Sequence, residues 1–220
     1  MPNWCSNRLT VFGTEHALTS FLSAAAAEQR SFSFQALLPC PRELQEVTSG
    51  HTTIEGVSVT VWRSVEQADG KTLQVRISDE DIERFKREYG ATNWYDWQIQ
   101  NWGTKWDVDA HVSSDSIHDG EVAIDFETAW SPPKDFVCTV SQKFTSLTFT
   151  LDYAEPGVGF GGRCTFKEGD LVEGVEAEDL ASIKHISEWH ADAIGPFEDE
   201  EEWSEDEEEN EEEVTDGSED

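Results

Sequence analysis

No apolar run in the 220 residues approaches the ~20 needed to cross a bilayer as a helix, so a membrane span is not expected. The opening, Met1-Pro2-Asn3-Trp4-Cys5-Ser6-Asn7-Arg8, lacks a basic stretch leading into an apolar one, and no secretory signal is read there. The four cysteines, Cys5, Cys40, Cys138 and Cys164, are scattered without a CxxC pair. That spacing suits free, buried thiols in a reducing compartment better than a disulfide framework. The expectation is a soluble, cytoplasmic protein.

Bases are scarce. Lysine and arginine number 15 against 47 acids, for a formal net charge of −32. Sixteen of the acids lie between Glu198 and Asp220, where there is no base, which leaves 31 against 15 in the rest. Nucleic acid and anionic membranes need a basic footprint that displaces counterions, and none is visible. Direct binding to either is disfavoured. A basic partner is favoured instead, through long-range attraction that salt weakens.

Aromatic residues are plentiful. Nine tryptophans and twelve phenylalanines supply large units of burial, each worth roughly 2–3 kcal/mol when fully removed from water. The pattern that distributes them is α+β. Leu9 and Val11 alternate with polar neighbours from Asn7 to Phe12, as in a half-buried strand. Thr14 can then cap a helix that buries Leu18, Phe21, Leu22 and Ala25 and runs to about Gln29. Val57, Val59 and Val61, then Leu73, Val75 and Ile77, read as a hairpin about Ala68-Asp69-Gly70-Lys71. Ser78 to Tyr89 reads as a helix with a serine cap, acids in its first turn, bases later and Gly90 as its stop.

Further on, strands are expected around Val108–Val112 and Val122–Thr128. A helix follows Ser131-Pro132-Pro133 and buries Phe136, Val137, Val140 and Phe144. Strands from Leu147 to Tyr153 and from Phe160 to Phe166 flank a type II turn at Glu155-Pro156-Gly157. Leu180, Ile183 and Trp189 would line a short helix in a C-terminal extension, 168–197. With 31–106 set aside as a large insertion after the first helix, the order is β-α-β-β-α-β plus one strand. That is a ferredoxin-like split βαβ sandwich, an antiparallel sheet with helices on one face. Residues 198–220 read as a disordered polyacidic tail.

Four segments carry a family resemblance: Met1-Pro2-Asn3-Trp4-Cys5-Ser6-Asn7; Trp94-Tyr95-Asp96-Trp97 leading to Asn101-Trp102-Gly103-Thr104-Lys105-Trp106-Asp107; Phe126-Glu127-Thr128-Ala129-Trp130-Ser131-Pro132-Pro133; and Tyr153-Ala154-Glu155-Pro156-Gly157 with Phe160 and Gly162. Together they resemble the YubB-like proteins of phages and plasmids over roughly residues 1–167. The resemblance implies a ferredoxin-like domain and a mobile genetic element in a bacterial host. It supplies no reaction, cofactor or catalytic residue.

Gly157-Val158-Gly159-Phe160-Gly161-Gly162 matches GxGxxG literally. A dinucleotide site needs a helix directly after the glycines, and Arg163 to Lys167 reads as a strand, so the motif is taken as a glycine-rich hairpin. His185 and His190 are five apart and have no neighbouring cysteine, so no metal site is expected. No nucleophile elbow appears, and no cofactor is expected.

Trp94, Trp97, Trp102, Trp106 and Trp130 are either an aromatic core or the floor of a pocket. The polar residues among them nominate a ligand site of Asn101, Trp102, Lys105, Trp106, Thr128, Trp130 and Glu155; the alternative is that they satisfy one another, with Lys105 paired to Asp107 or Glu155. If the turn after Trp102 continues helically, Trp102 and Trp106 share a side. The tail nominates a second surface, in which Trp203 anchors the acids Glu205, Asp206 and Glu207. The function expected is therefore a non-enzymatic interaction protein. It binds a basic host or phage protein through its acidic surface and tail, including as a mimic of nucleic-acid charge. The alternative is a small-ligand binder or enzyme that uses the tryptophan-lined pocket.

Overall fold

Alternation decides the first strand. In β1 (Trp4–Phe12), Cys5, Asn7, Leu9 and Val11 are buried, and the residues between them face the other side of the sheet. The computed structural model describes residues 2–195, and the acidic segment from Glu198, expected as a disordered tail, lies outside the described residues. Thr14 caps α1 (Glu15–Ala25) by accepting from the Ala17 N–H, and Leu18, Phe21 and Ala25 face the core. The helix ends at Ala25, short of Gln29. Ala26 is extended, and Ala27 and Arg30 exchange backbone hydrogen bonds, so the chain turns before the alanine run can prolong the helix.

The stretch between α1 and the next strand of the main sheet holds α2 (Phe34–Leu37), α3 (Arg42–Gln45), β2 (Val47–Ile54), β3 (Val57–Glu66), β4 (Thr72–Arg76), α4 (Asp79–Tyr89) and α5 (Trp94–Trp102). The hairpin expected from the valine alternation is β3–β4, but β2 joins it to make a separate three-stranded antiparallel sheet. β2 carries Gly50 and mostly exposed polar residues, and its register shifts between Ser49 and Thr52, so it shows no clean period. α4 forms as its caps dictate. Ser78 Oγ accepts from the Asp81 N–H at 3.1 Å, and Gly90 stops the helix at φ +74. Ser78→Ala should therefore cost about 1 kcal/mol in a chemical denaturation curve, and an unchanged midpoint would show that the cap does not hold the helix.

The main sheet is completed by β5 (Ala110–Ser113), β6 (Glu121–Ala129), β7 (Thr148–Glu155), β8 (Phe160–Lys167) and β9 (Asp170–Ala177), with α6 (Lys134–Lys143) between β6 and β7. Its order is β5-β6-β1-β7-β8-β9, with every neighbouring pair antiparallel. β1 lies between β6 and β7, the two strands that α6 connects, which is the split βαβ arrangement of a ferredoxin-like fold. Under one face, Phe21 of α1 meets Phe149 edge-on at 5.5 Å, and Phe34 of α2 stacks on Phe136 of α6 at 4.0 Å. Rings and helices there form one aromatic core.

Three sequence expectations are corrected here. Two strands, not one, extend the β-α-β-β-α-β core, because β9 follows β8; every residue of β9 before Ala177 is exposed, so it has no buried alternation to reveal it. Helices do not keep to one face. α7 (Leu180–Lys184) and α8 (Glu188–Ile194), expected as one short helix, are two, and they pack on the opposite face over β7 and β8. Gly161 makes that approach possible: a Cβ there would stand 2.7 Å from Ile183 of α7. Finally, the β7–β8 turn is not type II at Gly157. Gly159 holds the left-handed position at φ +88, and its N–H donates to the Glu155 carbonyl across a longer loop. Among the described residues no helix is long and apolar enough to cross a membrane.

Candidate functional site

The face of the sheet away from α1 and α6 is polar by alternation. Antiparallel register sets His111 of β5, Asp125 of β6, Arg8 of β1, Asp152 of β7 and Arg163 of β8 in one row across five strands. Arg8 grips Asp125 with two parallel bonds, Nε to Oδ1 at 2.7 Å and Nη2 to Oδ2 at 3.0 Å. Arg163 grips Asp152 in the same way, at 2.6 and 3.1 Å. Fork-on-fork pairing fixes both partners in orientation as well as in charge.

α8 closes one end of this row. His190 is fully buried. Its Nε2 lies 2.9 Å from the Gly162 carbonyl, and its Nδ1 lies 2.8 Å from Ser187 Oγ and 3.6 Å from Asp152 Oδ1. A carbonyl can only accept, so Nε2 carries the proton and Nδ1 accepts from the serine hydroxyl. Burial pushes the ring below its ordinary value of 6.5; the Arg163 charge adds to this, while Asp152 and the Gly162 bond oppose it. A depressed base is neutral when folded, so the unfolded chain takes the proton first as the pH drops below 6.5. Stability should therefore fall across that window and be complete above it. His190→Gln, which still offers a donor to Gly162, should flatten this component when wild type and variant are compared by denaturation between neutral and mildly acid pH. Parallel curves would contradict the assignment.

Over β1, β5 and β6 the same face opens into a groove of about 980 Å³. Trp4 and Trp106 stand on one side with ring centroids 6.1 Å apart, and Trp189, Asp192 and Ala193 of α8 stand among its other lining residues. Arg8 is spent on Asp125, and Arg30 on Asp107 at 3.2 Å. Among the described residues Asp109, Glu127 and Asp192 form no ion pair in the groove, although Asp192 adds to the field that keeps Arg8 protonated. The groove is therefore acidic in balance and walled by indoles.

The seven residues nominated from the sequence do not assemble as one site. Trp102 is core: it is 1% exposed, its Nε1 donates to the Leu38 carbonyl at 2.9 Å, and it packs on Phe34 and Trp97. Asn101 donates to the Trp97 carbonyl at the end of α5. Trp102 and Trp106 do not share a helix side, because Gly103 stops α5 at φ +76. Glu155 is buried, and its two oxygens accept from the Gly157 and Val158 N–H groups in the β7–β8 loop. It does not meet Lys105, whose Nζ sits 3.7 Å from the centroid of the Trp106 ring. Asp107 is occupied too, accepting from Ser33 Oγ, the Phe34 N–H and the Val108 N–H.

Thr128 lines the groove but is buried, accepting from Asn7 Nδ2 and donating to the Ser131 carbonyl. Trp130 is half exposed at a left-handed φ of +74, and it lies outside the groove lining. Only Trp106 and Thr128 of the seven belong to the groove. Trp203, Glu205, Asp206 and Glu207 lie outside the described residues. Sequence reasoning missed Trp4, Arg8, Arg30, Asp125, Glu127, Trp189 and Asp192. The one signal in reach was the polar face of β1, where Trp4, Ser6, Arg8 and Thr10 alternate with the buried set.

A family model described as the ferredoxin-like domain in Api92-like protein matches residues 101–218, reaching past Lys167, where the resemblance read from the sequence ends. YubB of Escherichia coli (strain K12) is 31% identical over 84 residues, 38% of this chain and 58% of that protein, so the chain spans under two thirds of that relative. The crystal structure of Api92 from Yersinia pseudotuberculosis aligns with a TM-score of 0.45 at 14% identity, over 80% of this chain and 98% of that one. The matched span contains β5 through α8, and in this structure β1 and α1 supply the central strand and a helix to the same sandwich. The chain belongs to the YubB/Api92-like family and carries its ferredoxin-like domain.

Proposed function

We propose that this protein binds a basic segment of another protein in the acid-lined groove on the open face of its sheet, without catalysing a reaction. The observation that carries the reading is the charge balance of that groove. Its two arginines are consumed by Asp125 and Asp107, while Asp109, Glu127 and Asp192 keep their charge available between tryptophan walls. Arginine suits such a place, since its guanidinium pairs with carboxylates and stacks on indole faces. Ala193, in the last turn of α8, lines the groove, and sixteen acids follow in sequence from Glu198. In this proposal they raise the capture rate of a basic partner and extend the mimicry of nucleic-acid charge. The setting is the cytoplasm of a bacterium carrying a phage or plasmid, as the resemblance to YubB-like proteins suggests, and the partner is a basic host or phage protein.

Titration with a labelled oligo-arginine peptide tests this, with an oligo-glutamate peptide as control. Binding of the basic peptide alone, weakening steeply with salt, is expected. Removing residues 198–220 should slow association more than it speeds dissociation. No affinity for the basic peptide at low salt would sink the reading. A second reading, a small cationic or aromatic ligand, is favoured by one observation: the exposed Trp4–Trp106 pair beside a groove of about 980 Å³, a volume usual for ligand sites.

A further inference from the structure

The two edges of the six-stranded sheet are unlike. β5 is four residues long, a short edge of the kind that resists pairing with other chains. β9 is eight residues long, and its backbone makes no hydrogen bond outside the β8 ladder among the described residues. Leu171, Val172 and Val175 are each about half exposed along it. It contains neither proline nor lysine, two residues that guard free edges. Its charges are Asp170, Glu173 and Glu176, of which Lys134 takes Glu176.

A second copy fits this edge poorly. Antiparallel pairing of β9 with itself would set three acids against the same three, on molecules that each carry −32, and like charges across a ladder are unfavourable. An extended segment alternating lysine or arginine with apolar residues fits on both counts. Its bases would face Asp170 and Glu173, which the register irregularity sets on one face through their partners Lys167 and Thr165, and its apolar side chains would cover Leu171 on the other. We propose that β9 is a strand-addition edge that takes an extended basic segment of a partner protein. The proposal rests on the basic-partner reading above and adds to it the surface and the backbone mode of recognition.

The probe is an alternating lysine–valine octapeptide, with a copy methylated on alternate backbone nitrogens and an alternating glutamate–valine peptide as controls. Anisotropy gives affinity, and amide hydrogen exchange on the full chain gives location. Exchange across 170–177 should slow when the basic peptide binds, because the edge amides gain partners. Methylation should weaken binding about tenfold or more, since it removes donors without removing charge. The double variant Glu173→Lys, Val175→Lys changes exposed positions, so it should keep the thermal midpoint while binding weakens about tenfold. Equal affinity for the methylated peptide, or unchanged exchange at 170–177, would overturn the proposal. Slowed exchange at β6 and α8 instead would defeat the edge and leave the groove reading standing, whereas no binding of any basic peptide would defeat both. Protection of β9 in a dimer without peptide would identify a second copy as the occupant and also overturn it.

Discussion

Trp102→Ala should destabilise the protein by about 3–5 kcal/mol, as large-to-small changes at buried aromatic positions do, and Trp106→Ala should leave stability within about 0.5 kcal/mol. Trp102 is 1% exposed, sits edge-on to both Phe34 and Trp97, and spends its indole N–H on the Leu38 carbonyl. Its removal opens a cavity and orphans an acceptor together. Trp106 is 41% exposed and, among the described residues, meets only Trp4 and the Lys105 ammonium as its ring and cation neighbours. Chemical denaturation of the two variants side by side separates core from groove wall. Equal losses would mean that Trp106 is structural and that the groove lacks the wall assigned to it.

The second large effect is expected at Gly162. A Cβ there would come within 2.5 Å of the Tyr153 hydroxyl and 2.6 Å of the Val175 carbonyl. The hydroxyl is rigidly attached to the buried Tyr153 ring, and the carbonyl belongs to the backbone of β9, so the ring must shift and β8 and β9 must part or the ladder must bend. Gly162→Ala should cost about 1–3 kcal/mol. Gly174→Ala, in the facing strand, is the control, because its nearest neighbours are 3.8 Å away and its backbone is not left-handed. That change should be neutral or slightly stabilising, since alanine restricts the unfolded chain. Similar thermal midpoints for the two variants would contradict the close approach at Gly162.

Gly162 also marks where sequence reading stops. The literal GxGxxG was read correctly as a hairpin, but its purpose is spatial: Gly161 admits Ile183, and Gly162 admits Tyr153 and β9. A glycine pair does not disclose what passes over it. Elements with a buried face and end signals were legible. β1 and α1, the β6–α6–β7 unit and the Ser78-capped α4 follow from alternation, helical spacing and caps. β2 and β9 were not, because almost none of their side chains is buried and no period survives.

The groove was illegible for a different reason. Arg8 and Asp125 are 117 residues apart, Arg30 and Asp107 bracket the whole three-stranded sheet, and Trp189 arrives on a C-terminal helix whose sequence does not say which face of the sheet it covers. Each is an ordinary surface residue until the topology brings them to one face. Glu155 and Lys105, which seemed matched in sequence as a charge pair, were each satisfied locally, by loop N–H groups and by an indole ring.

Position must be separated from net charge to test whether the acid-lined groove takes a basic segment. The variant Asp109→Lys, Glu127→Lys reverses two groove charges, and Glu28→Lys, Glu66→Lys reverses two exposed charges away from the groove lining with the same change in net charge. The tail is present in both, so its attraction is common to the pair. Calorimetric titration of each with the oligo-arginine peptide at physiological ionic strength, where screening acts beyond about 8 Å, is the measurement. The groove variant should bind about tenfold or more weakly than wild type while the distant variant binds nearly as wild type does; equal weakening in both would contradict a groove and leave only a diffuse acidic surface.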